Sequence, residues 1–134
     1  MIGLDTNVLL RLVEESDPNQ RARADALVRA QGLRGCFVNP IVLAELAWTL
    51  ARTYKQSRDE IADRLELILE APEFVVANAD EAERAIGRLR QGPAEFSDYF
   101  LAEINRSAGC DNTATFDKHA GRSEDLFAAV PPIP

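Results

Sequence analysis

Short apolar runs alternate along the chain with longer stretches in which apolar side chains recur at helical spacing. The short runs predict strands at residues 2–4, 36–38, 74–76 and 113–116, with a last one within 126–130. Strands separated by helices are joined by crossover connections, which is the arrangement of a parallel sheet. The pattern therefore predicts an α/β fold in which helices flank and cover both faces of a parallel sheet of four to five short strands.

Capping signals mark where several helices begin. Asp17 and Asn39 are each followed by proline, which is favoured at the first helical position. Ser57 and Glu60 fit a capping box, in which each side chain accepts a hydrogen bond from the other residue's backbone amide. Helices are expected over about 18–30, 40–50 and 58–70, and apolar periodicity adds helices over about 8–13, 80–90 and 96–108.

Length and composition are those of one ordinary globular domain. The 134 residues predict a single domain over 1–134, with 46% hydrophobic and 28% charged residues. No apolar run approaches the roughly 20 residues that span a bilayer, so we expect no membrane contact and a cytoplasmic protein. Cys36 and Cys110 lack the spacing of a metal site or a disulfide framework, and we expect both to be buried free thiols.

The charge balance restricts how the chain could bind nucleic acid. A formal net charge of -7 argues against binding through a strongly basic surface. A nucleic-acid substrate would therefore need a cation that the sequence does not supply. His119 is the only histidine, which excludes an acid–base pair of histidines within one chain. Arg11 and Arg106 could contact RNA or be solvated.

Four acidic residues stand where the predicted fold would bind a ligand. Asp5 and Asp117 each follow a strand, at the carboxyl edge where open α/β sheets hold ligands. Asp98 lies in the first turns of its helix, and Glu45 lies on a helix with little polar surface. Singly, the three aspartates could cap turns or helices. Glu45 would be costly to bury unless it were paired or bound metal, and hard divalent cations favour such oxygen ligands.

The order and spacing of these acids resemble a known family. The segments that carry the resemblance are IGLDTNVLL at 2–10, PIVLAEL at 40–46, FSDY at 96–99 and TFD at 115–117. Over essentially its whole length the chain resembles a PIN domain, and most closely the VapC-type toxins of bacterial toxin–antitoxin pairs. Residues 110–114 depart from this pattern, since the strand before T-x-D is usually more aliphatic.

The resemblance implies an endoribonuclease that depends on Mg²⁺ or Mn²⁺. Its catalytic and metal-binding positions would fall on Asp5, Glu45, Asp98 and Asp117. Asn7 and Thr115 would support these ligands or position phosphate. The implied partners are an RNA substrate, a cognate antitoxin protein and a second copy of the chain in a homodimer.

Two other functional classes stay open at this point. A phosphoacceptor signalling domain would also gather acids around Mg²⁺, but it needs an aspartate ending the middle strand, where this chain has Ala77 and Asn78. A PIN-like binding module without catalysis is disfavoured because all four acids are present. Trp48 is expected to pack in the core or a dimer interface, with base stacking as the alternative.

Overall fold

Five short strands and six helices alternate along the chain in a computed structural model that describes residues 1–134. The strands are β1 (Ile2–Gly3), β2 (Cys36–Val38), β3 (Phe74–Val76), β4 (Thr113–Thr115) and β5 (Phe127–Ala129). The helices are α1 (Thr6–Val13), α2 (Pro18–Gln31), α3 (Pro40–Arg52), α4 (Arg58–Glu70), α5 (Ala79–Gln91) and α6 (Phe96–Ser107). These elements confirm the predicted α/β class. Two 3₁₀ turns, Gly32–Arg34 and Ala120–Arg122, were not predicted.

The strands form two parallel sheets rather than the single sheet expected from the sequence. The first has the order β1-β2-β3, with Ile2 opposite Cys36 and Cys36 opposite Phe74. β4 pairs only with β5. β1 is two residues long, and Asp5 already caps the following helix, so the free edge of β1 offers few backbone groups to a further strand. We refer to residues 113–130, which contain β4 and β5, as the C-terminal unit.

Most of the core lies between helices. Its largest fully buried side chains come mainly from α1, α3, α4, α5 and α6, and include Leu9, Leu43, Leu65, Ile86 and Tyr99. The first sheet is not fully covered, because both residues of β1 are exposed and Val75 in β3 is exposed. The expectation of helices over both faces is therefore met only in part. No helix is both long enough and apolar enough to cross a membrane.

The predicted helix starts are confirmed by their caps. The Asp17 carboxylate accepts a hydrogen bond from the Gln20 amide at 3.0 Å, and the Asn39 side chain accepts one from Val42 at 3.0 Å. The capping box of α4 is complete: Ser57 Oγ accepts from the Glu60 amide at 3.2 Å, and Glu60 Oε1 accepts from the Ser57 amide at 3.1 Å. These bonds from Ser57 hold the pKa of Glu60 below its ordinary value.

The two cysteines differ in exposure. Cys36 is buried in β2, and burial raises the pKa of its thiol. Cys110 is exposed, so the expectation that both thiols are buried is wrong for Cys110. Cys110 follows α6 in a polar loop that the core does not cover, whereas Cys36 lies on the middle strand of the first sheet.

The capping box generates a stability prediction. Ser57→Ala removes the acceptor for the Glu60 amide, and we expect it to lower the free energy of unfolding by about 1 kcal/mol. Ser57→Asp is the matched control, because aspartate caps as well as serine and should keep near wild-type stability. Urea denaturation followed by circular dichroism measures both variants. Equal stability of Ser57→Ala and wild type would show that α4 does not depend on this cap.

Candidate functional site: the acidic set around Thr6

Asp5 and Glu45 converge on one residue, Thr6. Asp5 follows the first strand and caps α1, where its Oδ1 accepts a hydrogen bond from the Thr6 amide at 2.7 Å. The Thr6 hydroxyl donates to Glu45 Oε2 at 2.6 Å. Thr6 is only 8% exposed, so its hydroxyl has little access to water. The structure thus brings together two predicted site residues that are far apart in the chain, and it adds Thr6, which the sequence analysis missed.

The face of α3 that carries Glu45 points outward. Glu45 is exposed, and so are Ile41 and Trp48, at 69% and 53%. These three residues are four and three positions apart, which places them on one side of the helix. The prediction that Glu45 is a buried carboxylate is therefore wrong. The prediction that Trp48 packs in the core is also wrong. Trp48 instead lines a small cavity of about 130 Å³ beside Phe96.

Asp98 and Asp117 each make a local hydrogen bond at the start of a helical turn. Asp98 is half-buried, and its Oδ2 accepts from the Glu95 amide at 3.1 Å, just before α6. Asp117 is exposed, and its Oδ1 accepts from the His119 amide at 2.8 Å. The Thr115 hydroxyl oxygen accepts from the Asp117 amide at 2.9 Å and so fixes the backbone that carries this carboxylate.

The four carboxylates have donor chemistry that suits a hard cation. None of them forms a salt bridge, and each keeps one oxygen that accepts no hydrogen bond from the protein, while the other is held locally. Divalent Mg²⁺ and Mn²⁺ favour such oxygen ligands. No three acidic, histidine or cysteine side chains lie close enough together to hold one ion. The part of the predicted pocket that the structure assembles is the pair at Thr6.

A second acidic feature, missed from the sequence, is a fully buried carboxylate. Glu103 in α6 has no solvent exposure (0%), and its two oxygens accept from Arg84 Nε at 2.9 Å and Arg88 Nε at 3.2 Å. Arg88 also binds Asp125, and this contact holds the pKa of Asp125 below its ordinary value. The signal was present: Glu103 follows Phe96 and Tyr99 at helical spacing on an apolar face.

The remaining polar candidates have protein partners or lie exposed. Arg11 donates to Gln20 at 2.7 Å and also contacts Glu14 and Tyr54, so its guanidinium has partners within the protein. Arg106 pairs with Asp125. Asn7 is exposed on the first turn of α1, and His119 is exposed beside the 3₁₀ turn of the C-terminal unit.

The chain was compared with protein-family models, curated proteins and solved structures to find the family to which it belongs. Among curated proteins, no sequence matches the chain. Among solved structures, the chain is similar to the sarcin-ricin-loop-cleaving toxin VapC20 of Mycobacterium tuberculosis. This match has 19% sequence identity and a TM-score of 0.45, and it covers 94% of this chain and 97% of that chain. The family model of the PIN domain matches residues 2–124, and the chain therefore belongs to the PIN domain family.

Proposed function

We propose that this protein is a divalent-metal-dependent endoribonuclease and the toxin component of a type II toxin–antitoxin system. It hydrolyses phosphodiester bonds of RNA at a site formed by Asp5, Glu45, Asp98 and Asp117. The observation that carries the proposal is the convergence of Asp5 and Glu45 on Thr6, in a chain that belongs to the PIN domain family. The proposal adds Asp98 and Asp117 as further oxygen ligands on the family resemblance, since the structure itself brings only Asp5 and Glu45 together.

The residues of this chain bind and orient, and the cation supplies the water activation. A Mg²⁺ or Mn²⁺ held by these carboxylates would supply a water of lowered pKa and would offset charge on the phosphate. Thr6 fixes one oxygen of Asp5 and one of Glu45 and leaves the other oxygen of each available. Asn7, exposed beside Thr6, can donate its amide hydrogens to a phosphate oxygen. Thr115 holds the backbone of Asp117.

The structure does not support the alternative hypothesis of a phosphoacceptor signalling domain. It needs a carboxylate at the end of the middle strand of the sheet. β2 lies in the middle of the first sheet and ends at Val38, with Asn39 capping the next helix. β3 ends at Val76 and is followed by Ala77. The acids lie instead at the start of α1, on the outer face of α3, in the first turn of α6 and after β4.

The first test removes charge while keeping local hydrogen bonds. Asp5→Asn and Asp98→Asn keep a side-chain oxygen that can accept from the Thr6 and Glu95 amides. We expect the rate of RNA cleavage to fall roughly 100-fold or more. Mutating a residue that only hydrogen-bonds to a metal ligand already lowers activity or metal affinity about 10–100-fold. Stability in chelator should be unchanged or higher, because a negative charge is lost. Stabilisation by Mn²⁺ should shrink as affinity for the metal falls.

Asp17→Asn is the matched control for this series. Asp17 also caps a helix through its carboxylate, but it lies outside the acidic set. This variant should cleave RNA and respond to Mn²⁺ like the wild type. Cleavage of a defined RNA and melting curves, each with chelator and with Mn²⁺, are measured for all four proteins. Wild-type cleavage by Asp5→Asn or Asp98→Asn would remove that residue from the site.

The second test concerns Thr6. Thr6→Val keeps the shape of the side chain but removes the hydroxyl that orients Glu45, so we expect Mn²⁺ affinity to fall roughly tenfold. Thr49→Val is the control, because the Thr49 hydroxyl also bonds Glu45, but through its backbone carbonyl at 2.9 Å. Titration with Mn²⁺ followed by electron paramagnetic resonance gives both affinities. Equal affinities would show that Glu45 needs no orientation by Thr6.

We also propose that the protein acts in the cytoplasm, forms a homodimer and is inhibited by a cognate antitoxin. The exposed Ile41 and Trp48 on α3 are apolar side chains that a protein partner would bury. Light scattering of the purified chain should give twice the monomer mass, and addition of the neighbour-encoded antitoxin should shift the mass and stop cleavage. A monomer indifferent to that protein would contradict both partner assignments.

A further inference from the structure

The C-terminal unit is attached to the rest of the protein without strand pairing. All backbone hydrogen bonds of residues 113–130 stay within the unit, including those from Thr113 to Leu126 at 2.8 Å and from Val130 to Thr115 at 3.0 Å. Buried Leu126 and Phe127 hold it against the core. Apolar burial is non-directional, so polar contacts must determine how the unit is oriented.

One polar contact joins α6 directly to the unit, from Asn105 Nδ2 to Thr113 Oγ1 at 2.9 Å, and a larger network starts at the buried Glu103. A carboxylate without solvent is costly unless it is paired and hydrogen-bonded. Arg84 and Arg88 supply one bond to each of its oxygens through their Nε atoms. Because the Nε of Arg88 is bound to Glu103, the two terminal nitrogens of the guanidinium are directed at Asp125. Glu103 therefore sets the orientation of Arg88.

Asp125 links Arg88 to the strands of the C-terminal unit. Arg88 contacts both carboxylate oxygens of Asp125, and Arg106 contacts Oδ2 at 3.2 Å. The next residue, Leu126, accepts the backbone hydrogen bond that begins the β4–β5 pairing. Two residues along β4 from Thr113, Thr115 fixes the Asp117 amide. Hydrogen bonds and short stretches of backbone therefore connect Glu103 to Asp117 without a gap.

We propose that Glu103, Arg88 and Asp125 are positioning residues that hold the C-terminal unit, and with it Asp117, in a fixed orientation against α5 and α6. The proposal rests on the proposed function, because it takes Asp117 as a metal ligand. The pairing at Asp125 contributes orientation more than stability, since this carboxylate is 58% exposed and exposed ion pairs are worth little. The bidentate contact to Arg88 is nevertheless geometrically specific.

The test uses Asp125→Asn, which removes the charge without changing the size of the side chain. We expect its melting temperature to stay within about 4 °C of wild type. Cleavage should show a kcat at least about tenfold lower with KM near wild type, because misplacing a reacting group by about 1 Å can cost 10²-fold. Asp125→Glu, which keeps a carboxylate for Arg88, should recover part of the lost kcat.

Asp63→Asn is the matched control. Asp63 pairs with Arg90, which lies on α5 two residues after Arg88, but the pair joins α5 to α4 and does not touch the C-terminal unit. Its removal should leave kcat unchanged. Arg88→Lys adds a second variant: lysine keeps the charge but cannot bridge Glu103 and Asp125 with a planar fork, so it should lower kcat as Asp125→Asn does and, unlike that variant, also lower the melting temperature.

Amide hydrogen exchange of the metal-free protein separates failure of this proposal from failure of the proposed function. In Asp125→Asn the protected amides of Thr113, Asp117 and Val130 should exchange faster by roughly tenfold or more, while those of α4 stay unchanged. If the wild type cleaves no RNA but this local loosening occurs, the proposed function fails and the orienting network stands. Unchanged exchange, or faster exchange with wild-type kcat, would overturn the positioning role.

Discussion

The buried carboxylate of Glu103 determines how the last part of the chain is joined to the helices. Its burial requires two arginines from α5, and meeting that requirement fixes the guanidinium of Arg88. Arg88 thereby connects Glu103 on α6 to Asp125, which lies outside the core in the C-terminal unit. Removing one partner of such a buried pair usually destabilises a protein more than the pair stabilises it, so α5, α6 and the unit are interdependent.

The buried carboxylate of the protein is Glu103, whereas the sequence predicts a buried carboxylate at Glu45. Glu45 has mostly apolar neighbours, but its neighbours at helical spacing, Ile41 and Trp48, share an outward face of α3. Glu103 has the polar neighbours Asn105 and Arg106 in sequence, yet it shares its helical face with buried aromatic residues. The face of a helix, rather than the mean polarity of the segment, decides whether a carboxylate is buried. In α6 the aromatic residues mark that face in the sequence, whereas α3 carries apolar side chains on both faces, so its sequence does not show which one is inward.

Local signals predicted most of the fold, and long-range pairing accounts for what was missed. The caps at Asp17, Asn39 and Ser57 lie within three residues of the amides they satisfy, so sequence alone specifies them. The split into two sheets depends on whether β1 can pair with β4, which neither segment determines by itself. The hydrogen bond from Thr6 to Glu45 joins residues 39 positions apart, and the family resemblance indicated Asp5 and Glu45 but not the threonine that contacts both.

The internal use of arginine affects how an acidic chain could bind RNA. Salt bridges within the protein engage Arg11, Arg21, Arg52, Arg84, Arg88, Arg90 and Arg106. These cations neutralise the protein's own carboxylates, so they add little attraction for phosphate. On the proposed function, a bound metal ion would add to the attraction for RNA as well as activate water. The four acids of the proposed site carry no arginine partner, so their oxygens stay available to a cation.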